Sequence, residues 1–118
     1  MLPEAQLLYG HSSQYRNLAP GSTGSVVKAS ACEIHAIVVG NTDTNNVYLK
    51  IYNKATAPSS SDTPVLTLPV IKGTSLAMTF DDPIYCATGV GIRVVQDQAD
   101  NGTTAPTAAS CTLNILYK

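Results

Sequence analysis

The sequence predicts an all-β protein: an antiparallel two-sheet sandwich of jelly-roll type, with about eight strands and an extended N-terminal arm. Apolar residues alternate with polar ones over short stretches, whereas no stretch of helix length carries an apolar period of about 3.6 residues. Clusters of Gly, Pro, Asn and Asp separate these stretches at intervals typical of short strands. The length of 118 residues suits a single domain with a core of its own.

The predicted strands follow one another along the chain, with turn-forming residues between them. The clearer ones span residues 32–39, 47–52, 65–71, 74–80, 90–95 and 112–117. Weaker alternation predicts two more, at residues 24–29 and 84–87. Residues 6–9 either pair at a sheet edge or belong to the arm.

The alternation also predicts which side chains face the core. In strand order, these are Ile34, Ala36 and Val38; Val47, Leu49 and Ile51; Leu66, Leu68 and Val70; Leu76, Met78 and Phe80; Val90, Ile92 and Val94; Leu113, Ile115 and Tyr117. The opposite face of strand 47–52 carries Tyr48, Lys50 and Tyr52, and we expect it to be half open to water. Arg93 points away from the core as well.

Residues that tolerate tight or left-handed backbone predict the connections. Residues 40–46, rich in Asn, Asp and Thr, predict a hairpin connection, and residues 72–74 predict a tight turn. Residues 55–63 and 99–110 form longer loops. The first 22 residues show the least alternation, so we predict an N-terminal arm over residues 1–22 and a sandwich domain over residues 23–118; a disordered tail is the alternative for the arm.

Charge is scarce and evenly spread. Charged residues make up 13% of the chain, with seven basic and eight acidic side chains and a net charge of -1. Nucleic acid is not an expected partner, because phosphate binding needs clustered Lys and Arg. The chain has no polybasic segment, no apolar run of about 18 residues and no basic leader followed by an apolar stretch, so we expect neither membrane association nor a secretory signal.

Residues that carry chemistry are few and dispersed. Cys32, Cys86 and Cys111 lack zinc-type spacing, and their odd number predicts reduced, buried thiols; a disulfide between two of them stays open. His35 lies on a predicted strand, and the chain has no G-x-S-x-G motif. A catalytic triad is therefore not expected.

Two acidic patterns also favour structural roles. Asp81 and Asp82 precede Pro83 and predict a turn; on a strand, neighbours would point to opposite faces and could not converge as an acid/base pair. Asn41, Asp43 and Asn45 alternate like the first ligands of a calcium loop, but the Gly and the closing Glu of such a loop are missing. The sequence thus predicts no catalytic residue, no metal and no cofactor, which makes an enzyme the less favoured interpretation.

Some stretches are more distinctive than generic strands. Residues 47–58 read VYLKIYNKATAP, residues 87–95 read ATGVGIRVV, and the chain closes on LYK. Upstream, residues 21–30 read GSTGSVVKAS before the first long strand. This layout, over about residues 20–118, resembles a family of small β-sandwich proteins that tailed bacteriophages encode as virion structural proteins.

The resemblance implies a capsid decoration (cement) protein on the outer surface of the phage head, made in the host bacterial cytoplasm. Its partner would be the major capsid protein of the head, and a seat at a symmetry axis implies a homotrimer. A neck or tail fibre component that contacts host glycan through its tyrosines is the alternative. Outside the family, a stand-alone sugar- or calcium-binding module and a hydrolase built on His35 stay open.

The N-terminal arm supplies the candidate contact residues for the capsid or another partner. They are Leu7, Leu8, Tyr9, Tyr15 and Arg16. We expect the apolar ones to become buried only on assembly, when the arm adds a strand to a shell protein. Deleting residues 1–20 is then expected to leave the sandwich folded and to weaken shell binding.

Overall fold

The computed structural model describes residues 11–118, which form eight β-strands and no helix. The strands are β1 Ser13–Asn17, β2 Ser25–Lys28, β3 Cys32–Asn41, β4 Val47–Tyr52, β5 Leu66–Val70, β6 Ser75–Cys86, β7 Val90–Val95 and β8 Cys111–Tyr117. The bounds of β4 and β7 are those that the alternation predicts. The bounds of β2, β3, β5 and β8 differ from the predicted bounds by at most two residues, whereas those of β6 differ by more.

The strands form two antiparallel four-stranded sheets. Sheet A has the order β1-β8-β3-β6, and sheet B has the order β2-β7-β4-β5. Only β4 and β5 are neighbours both in sequence and in a sheet, because the other connections cross from one sheet to the other. This interleaved order is that of a jelly roll, so the predicted all-β sandwich is confirmed.

The core lies between the two sheets and is aliphatic. Sheet A contributes Ile34, Ile37, Val39, Leu113 and Ile115, and sheet B contributes Val47, Leu49, Ile51, Ile92 and Val94. Half-buried residues at the margins of both sheets pack against this cluster. The predicted inward faces of β4, β5, β6, β7 and β8 are therefore correct.

The predicted inward face of β3 is only partly correct. The pairing register shifts between Ile34 and Ala36 against both neighbouring strands, so His35 is an extra residue in a β-bulge. A single extra residue reverses the alternation that follows it. As a result Ile37 lies in the core, whereas Val38 is 46% exposed on the outside.

Strand β6 joins two predicted strands, 74–80 and 84–87, into one. Thr79 pairs with Ala36 and Ile84 pairs with Ile34, so residues 80–83 lie opposite His35 alone. The turn predicted at Asp81 and Asp82 is therefore a large bulge within a continuous strand. The strand is at the edge of sheet A, where it has a single neighbour, β3. Pro83 and the bulge are tolerated at this position because they interrupt pairing on one side only.

Strand β1 lies inside the predicted arm. Its residues pair with β8 from Ser13 opposite Tyr117 to Asn17 opposite Leu113, which places residues 13–17 in sheet A. The alternation does not reveal this strand, because an edge strand in which mainly Tyr15 packs against the core needs few apolar residues. The predicted boundary at residue 22 thus falls between β1 and β2, and the run 6–9 lies outside the described residues.

Two connections also bear on the predictions. The hairpin predicted at residues 40–46 is wrong, because β3 and β4 belong to different sheets and this segment connects the two sheets. The tight turn at residues 72–74 is present: Gly73 has φ of 71°, and the Thr74 amide donates to the Ile71 carbonyl at 3.1 Å. Glycine suits this left-handed position because it has no Cβ.

Candidate partner-binding surface

The outer face of sheet B is closed by the chain itself. Lys50 of β4 and Arg93 of β7 lie opposite each other, and both are buried. The Lys50 ammonium donates to the Ala99 carbonyl, and Arg93 Nη2 donates to the Gly102 carbonyl at 2.7 Å. The covering segment, residues 96–104, thus turns the predicted half-open face into a second buried layer, and that prediction is wrong for Lys50 and Tyr52.

Arg93 is the central tie of this layer. Besides Gly102, its Nε donates to the Ser22 carbonyl at 2.9 Å and its Nη1 to the Tyr52 hydroxyl at 3.1 Å. All three acceptors are neutral, so these contacts are hydrogen bonds and not ion pairs. Through them, the guanidinium attaches both the segment before β2 and the covering segment to strand β7. Burial and the neighbouring Arg93 charge lower the pKa of Lys50.

Two carboxylates brace the covering segment and the loop that follows it. Asp97 accepts hydrogen bonds from the Thr104 amide at 2.8 Å and the Thr104 hydroxyl at 3.2 Å, which lower the pKa of its carboxyl group. Asp43 accepts from the Thr107 amide at 2.6 Å and the Thr107 hydroxyl at 3.2 Å. These bonds, the backbone bond from Thr107 first, lower the pKa of Asp43 to about 2.

The arrangement around Asp43 is that of a structural clamp. Asn41 Oδ1 accepts from the Asp43 amide at 2.8 Å, and Asn41 Nδ2 donates to the Val70 carbonyl at 3.0 Å. The oxygens that a calcium ion would need are thus engaged by N–H and O–H donors. Within residues 11–118, no group of three or more His, Cys, Asp or Glu side chains is placed to hold a metal ion.

The outer face of sheet A, in contrast, is open. Two rows of side chains cross it, one running Arg16, Asn114, Val38 and Ala77 and the other Gln14, Leu116, Ala36 and Thr79. Val38 and Leu116 lie diagonally at the centre, and Leu116 is 40% exposed. We call these two rows the open face.

The open face is apolar at its centre and charged at its margins. Arg16 lies on the edge strand β1, and Glu33 lies at one end of β3, where Tyr85 is its partner on β6 and is 64% exposed. His35 Nε2 lies 3.4 Å from the Glu33 carboxylate, and among the described residues it has no hydrogen-bond partner. A surface that is uncharged at its centre and charged at its margins is suited to contact with another protein surface.

The structure separates the predicted contact residues. Arg16 is exposed on the open face, whereas Tyr15 turns towards the core and its hydroxyl accepts from Asn17 Nδ2 at 3.0 Å. Tyr15 is therefore a packing residue of the sandwich. Leu7, Leu8 and Tyr9 lie outside the described residues.

Sequence reasoning missed the apolar residues of the open face. Val38 was hidden by the bulge at His35, which a local pattern does not reveal. Leu116 carried a signal, because it is an apolar residue at an outward position between Ile115 and Tyr117, both inward. Tyr85 stands out in the same way beside the inward Ile84 and Cys86.

A shallow groove of about 440 Å³ opens at the margin of the covered face. Tyr48, Thr67, Pro69, Gln98 and Asp100 line it. An aromatic ring beside amide and carboxylate groups can stack on and hydrogen-bond to a sugar. Within residues 11–118, Tyr48 supplies the ring of this groove, whereas Tyr52 on the same strand is buried.

Comparisons of the chain with protein-family models, curated proteins and solved structures found no match. In the part of the chain that the structure describes, no helix is long and apolar enough to cross a membrane.

Proposed function

We propose that this chain is a non-enzymatic virion structural protein of a tailed bacteriophage, a decoration protein that stabilises the head shell. Its partners are the major capsid protein and further copies of itself, as a homotrimer on the outer surface of the capsid. The open face of sheet A carries the proposal. The jelly-roll strand order agrees with the resemblance that suggested the role.

The physical argument starts from the chemistry of the open face. Val38 and Leu116 are each about half exposed, so covering them contributes roughly 1 kcal/mol per residue. The neighbouring outward positions Ala77 and Thr79 are exposed and short, which lets another surface approach closely, whereas Ala36 in the same rows is already buried. One such contact binds weakly. Several of them, made at once by the linked copies of an oligomer on one shell, give a much higher overall affinity.

The edge strand β1 offers a second contact. Among residues 11–118 its outer edge has no partner strand, so it can add a strand from a neighbour. Arg16 lies on the same strand and faces outward, where it can pair with a carboxylate of the shell. Shell binding through residues 7–9 stays a prediction.

The decisive experiment measures binding to shells and copy number together. Hundreds of copies per purified particle, counted by mass spectrometry against the major capsid protein, are expected for a decoration protein. Val38→Glu with Leu116→Glu should then lower binding to undecorated shells at least tenfold. Ile71→Glu is the matched control, because Ile71 is equally exposed in the β5–β6 turn away from the open face.

Either of two results would overturn the proposal. A protein absent from particles has no virion role. Shell binding that is unchanged in the Val38→Glu, Leu116→Glu variant, or that is lost equally in Ile71→Glu, removes the open face as the contact.

The groove at Tyr48 favours a second candidate function, contact with host glycan as a neck or tail fibre component. An aromatic ring beside Gln98 and Asp100 is the chemistry that sugar recognition uses. About a dozen copies per particle, with glycan binding that Tyr48→Ala abolishes and Tyr85→Ala does not, would favour this role over decoration. No binding on a glycan array would remove it.

A further inference from the structure

Two of the three cysteines face each other across sheet A. Cys32, the first residue of β3, pairs with Cys86, the last residue of β6, and Glu33 opposite Tyr85 fixes the same register. Both cysteines are buried on the core side of the sheet, so their side chains point in the same direction. Both are free thiols in this structure.

The pairing geometry suits a bond between the two sulfurs. Directly opposed residues in antiparallel strands have Cα atoms about 4.5–5.5 Å apart. A disulfide takes Cα separations of about 4.4–6.8 Å, so it needs little backbone movement here. Burial raises the pKa of both thiols, and the proximity of Cys86 adds to the rise at Cys32.

Cys111 has a different position. It begins β8 and pairs with Asn41 at the opposite end of β3, and its Sγ lies 3.9 Å from Asn41 Oδ1. The length of β3 separates it from Cys32. Of the disulfides that the sequence leaves open, the structure thus allows the one between Cys32 and Cys86, and Cys111 has no cysteine partner among residues 11–118.

We propose that Cys32 and Cys86 are a redox pair that closes into a cross-strand disulfide under oxidising conditions, while Cys111 stays a thiol. The oxidant is a small-molecule disulfide such as oxidised glutathione. One cysteine thiolate attacks it, forming a mixed disulfide and releasing one glutathione thiolate. The second cysteine thiolate then attacks the cysteine sulfur of the mixed disulfide and releases the other glutathione, so two protein thiols are oxidised and one external disulfide is reduced.

The position of the pair sets its kinetics. Protonated, buried thiols react slowly, because the thiolate is the nucleophile. The pair lies where both strands end, next to the exposed Ala31 and Ala87, and strand ends open locally at low cost. Closure is therefore slow in the native protein and accelerates under mild denaturation.

The consequence is a bridge that anchors the end of the edge strand β6 to the central strand β3. It constrains a loop of about 50 residues in the unfolded chain, a length for which a bridge stabilises substantially. Thiols stay reduced in a bacterial cytoplasm, and disulfides persist outside it. The inference stands on the pairing alone and is independent of the proposed virion role.

The test uses the full-length protein in glutathione redox buffers. After incubation, the protein is denatured, its free thiols are alkylated, and intact mass and peptide maps are recorded. Oxidised protein should keep a single alkylated cysteine, Cys111, and yield a linked peptide pair containing Cys32 and Cys86. Its Tm should exceed that of the reduced protein by at least about 5 °C.

Matched variants separate the bridge from other effects of oxidation. Cys111→Ser should show the same rise in Tm, and Cys86→Ala should show none. The proposal is overturned if all three thiols stay alkylatable after oxidation in mild denaturant, if the linked pair includes Cys111, or if a stable glutathione adduct forms instead. If Cys86→Ala fails to fold, the intact mass and peptide map of the oxidised wild-type protein still show whether the disulfide between Cys32 and Cys86 has formed.

Discussion

The two outer faces of the sandwich differ in what covers them. On sheet B, long outward side chains such as Lys50 and Arg93 reach up to backbone carbonyls of residues 96–104, and the segment closes over them. On sheet A, no segment among the described residues is bonded over the central outward side chains, and Val38 and Leu116 stay exposed. The difference shows that an outward sheet face becomes part of the interior when its side chains offer donors to a loop long enough to cross it.

Hydrogen bonds fasten the cover and the loop that follows it. Arg93 binds Gly102 of the cover, Asp97 and Thr104 bond to each other within the cover, and Asp43 binds Thr107 beyond its end. Each of these bonds joins a charged group to an amide or carbonyl of the loop, and hydrogen bonds to charged groups contribute more than neutral ones. The open face has no comparable donors at its centre, so a partner there must be held by shape and apolar contact.

The largest effect is expected from Arg93→Ala. The substitution removes three hydrogen bonds and leaves the carbonyls of Ser22 and Gly102 without the donor that they have in the wild-type protein. We expect the free energy of unfolding to fall by about 3 kcal/mol. Urea titration measures it. A cost below about 1 kcal/mol would mean that the cover does not depend on this tie.

Acid should loosen the loop that follows the cover, where Asp43 binds Thr107. The pKa of the Asp43 carboxyl is about 2 in the folded protein, below the ordinary value of 3.8, so the unfolded state binds the proton more readily. The stability that this carboxylate contributes is present above about pH 4 and is lost as the pH falls towards 2. Urea titrations at several pH values should show this slope, and Asp43→Asn should flatten it while Asp81→Asn, an exposed control, should not.

Gly102→Ala should disturb the cover by crowding. A Cβ at Gly102 would lie 2.2 Å from Asp97 Cβ, so one of the two backbones must shift, at a cost of roughly 1–3 kcal/mol. Gly21→Ala is the matched control, since its Cβ would meet nothing within 4 Å. Amide hydrogen exchange should rise in residues 96–104 in the first variant and stay unchanged in the second; equal behaviour of the two would contradict the crowding.

The smallest effect is expected on the open face. Val38→Thr and Leu116→Gln should change the free energy of unfolding by less than about 0.5 kcal/mol, because both residues lie on the outer face, are about half exposed and are replaced by side chains of similar size. Leu113→Ala, one position inward on the same strand as Leu116, should cost about 3 kcal/mol. If the outward pair proved as costly as Leu113, the face would not be open, and its assignment as a contact surface would fail.

The candidate site was less predictable than the fold. Two of the predicted contact residues lie within residues 11–118: Arg16 is on the open face, and Tyr15 on the same strand turns inward. The centre of that face, Val38 and Leu116, is brought together by the pairing of β3 with β8, whose strands lie far apart in the chain. No local pattern contains that pairing.

The sequence by itself determined the all-β class, the bounds of β4 and β7 and the inward faces of five strands. Each of these depends on local alternation, in which a residue's face follows from its immediate neighbours. Only the tertiary structure decided the bulge at His35, the pairing of β1, the burial of Lys50 and Arg93 and the meeting of Cys32 with Cys86. These depend on which distant strands become neighbours and on where a long loop comes to rest, and such contacts leave no periodic mark on the segments that make them.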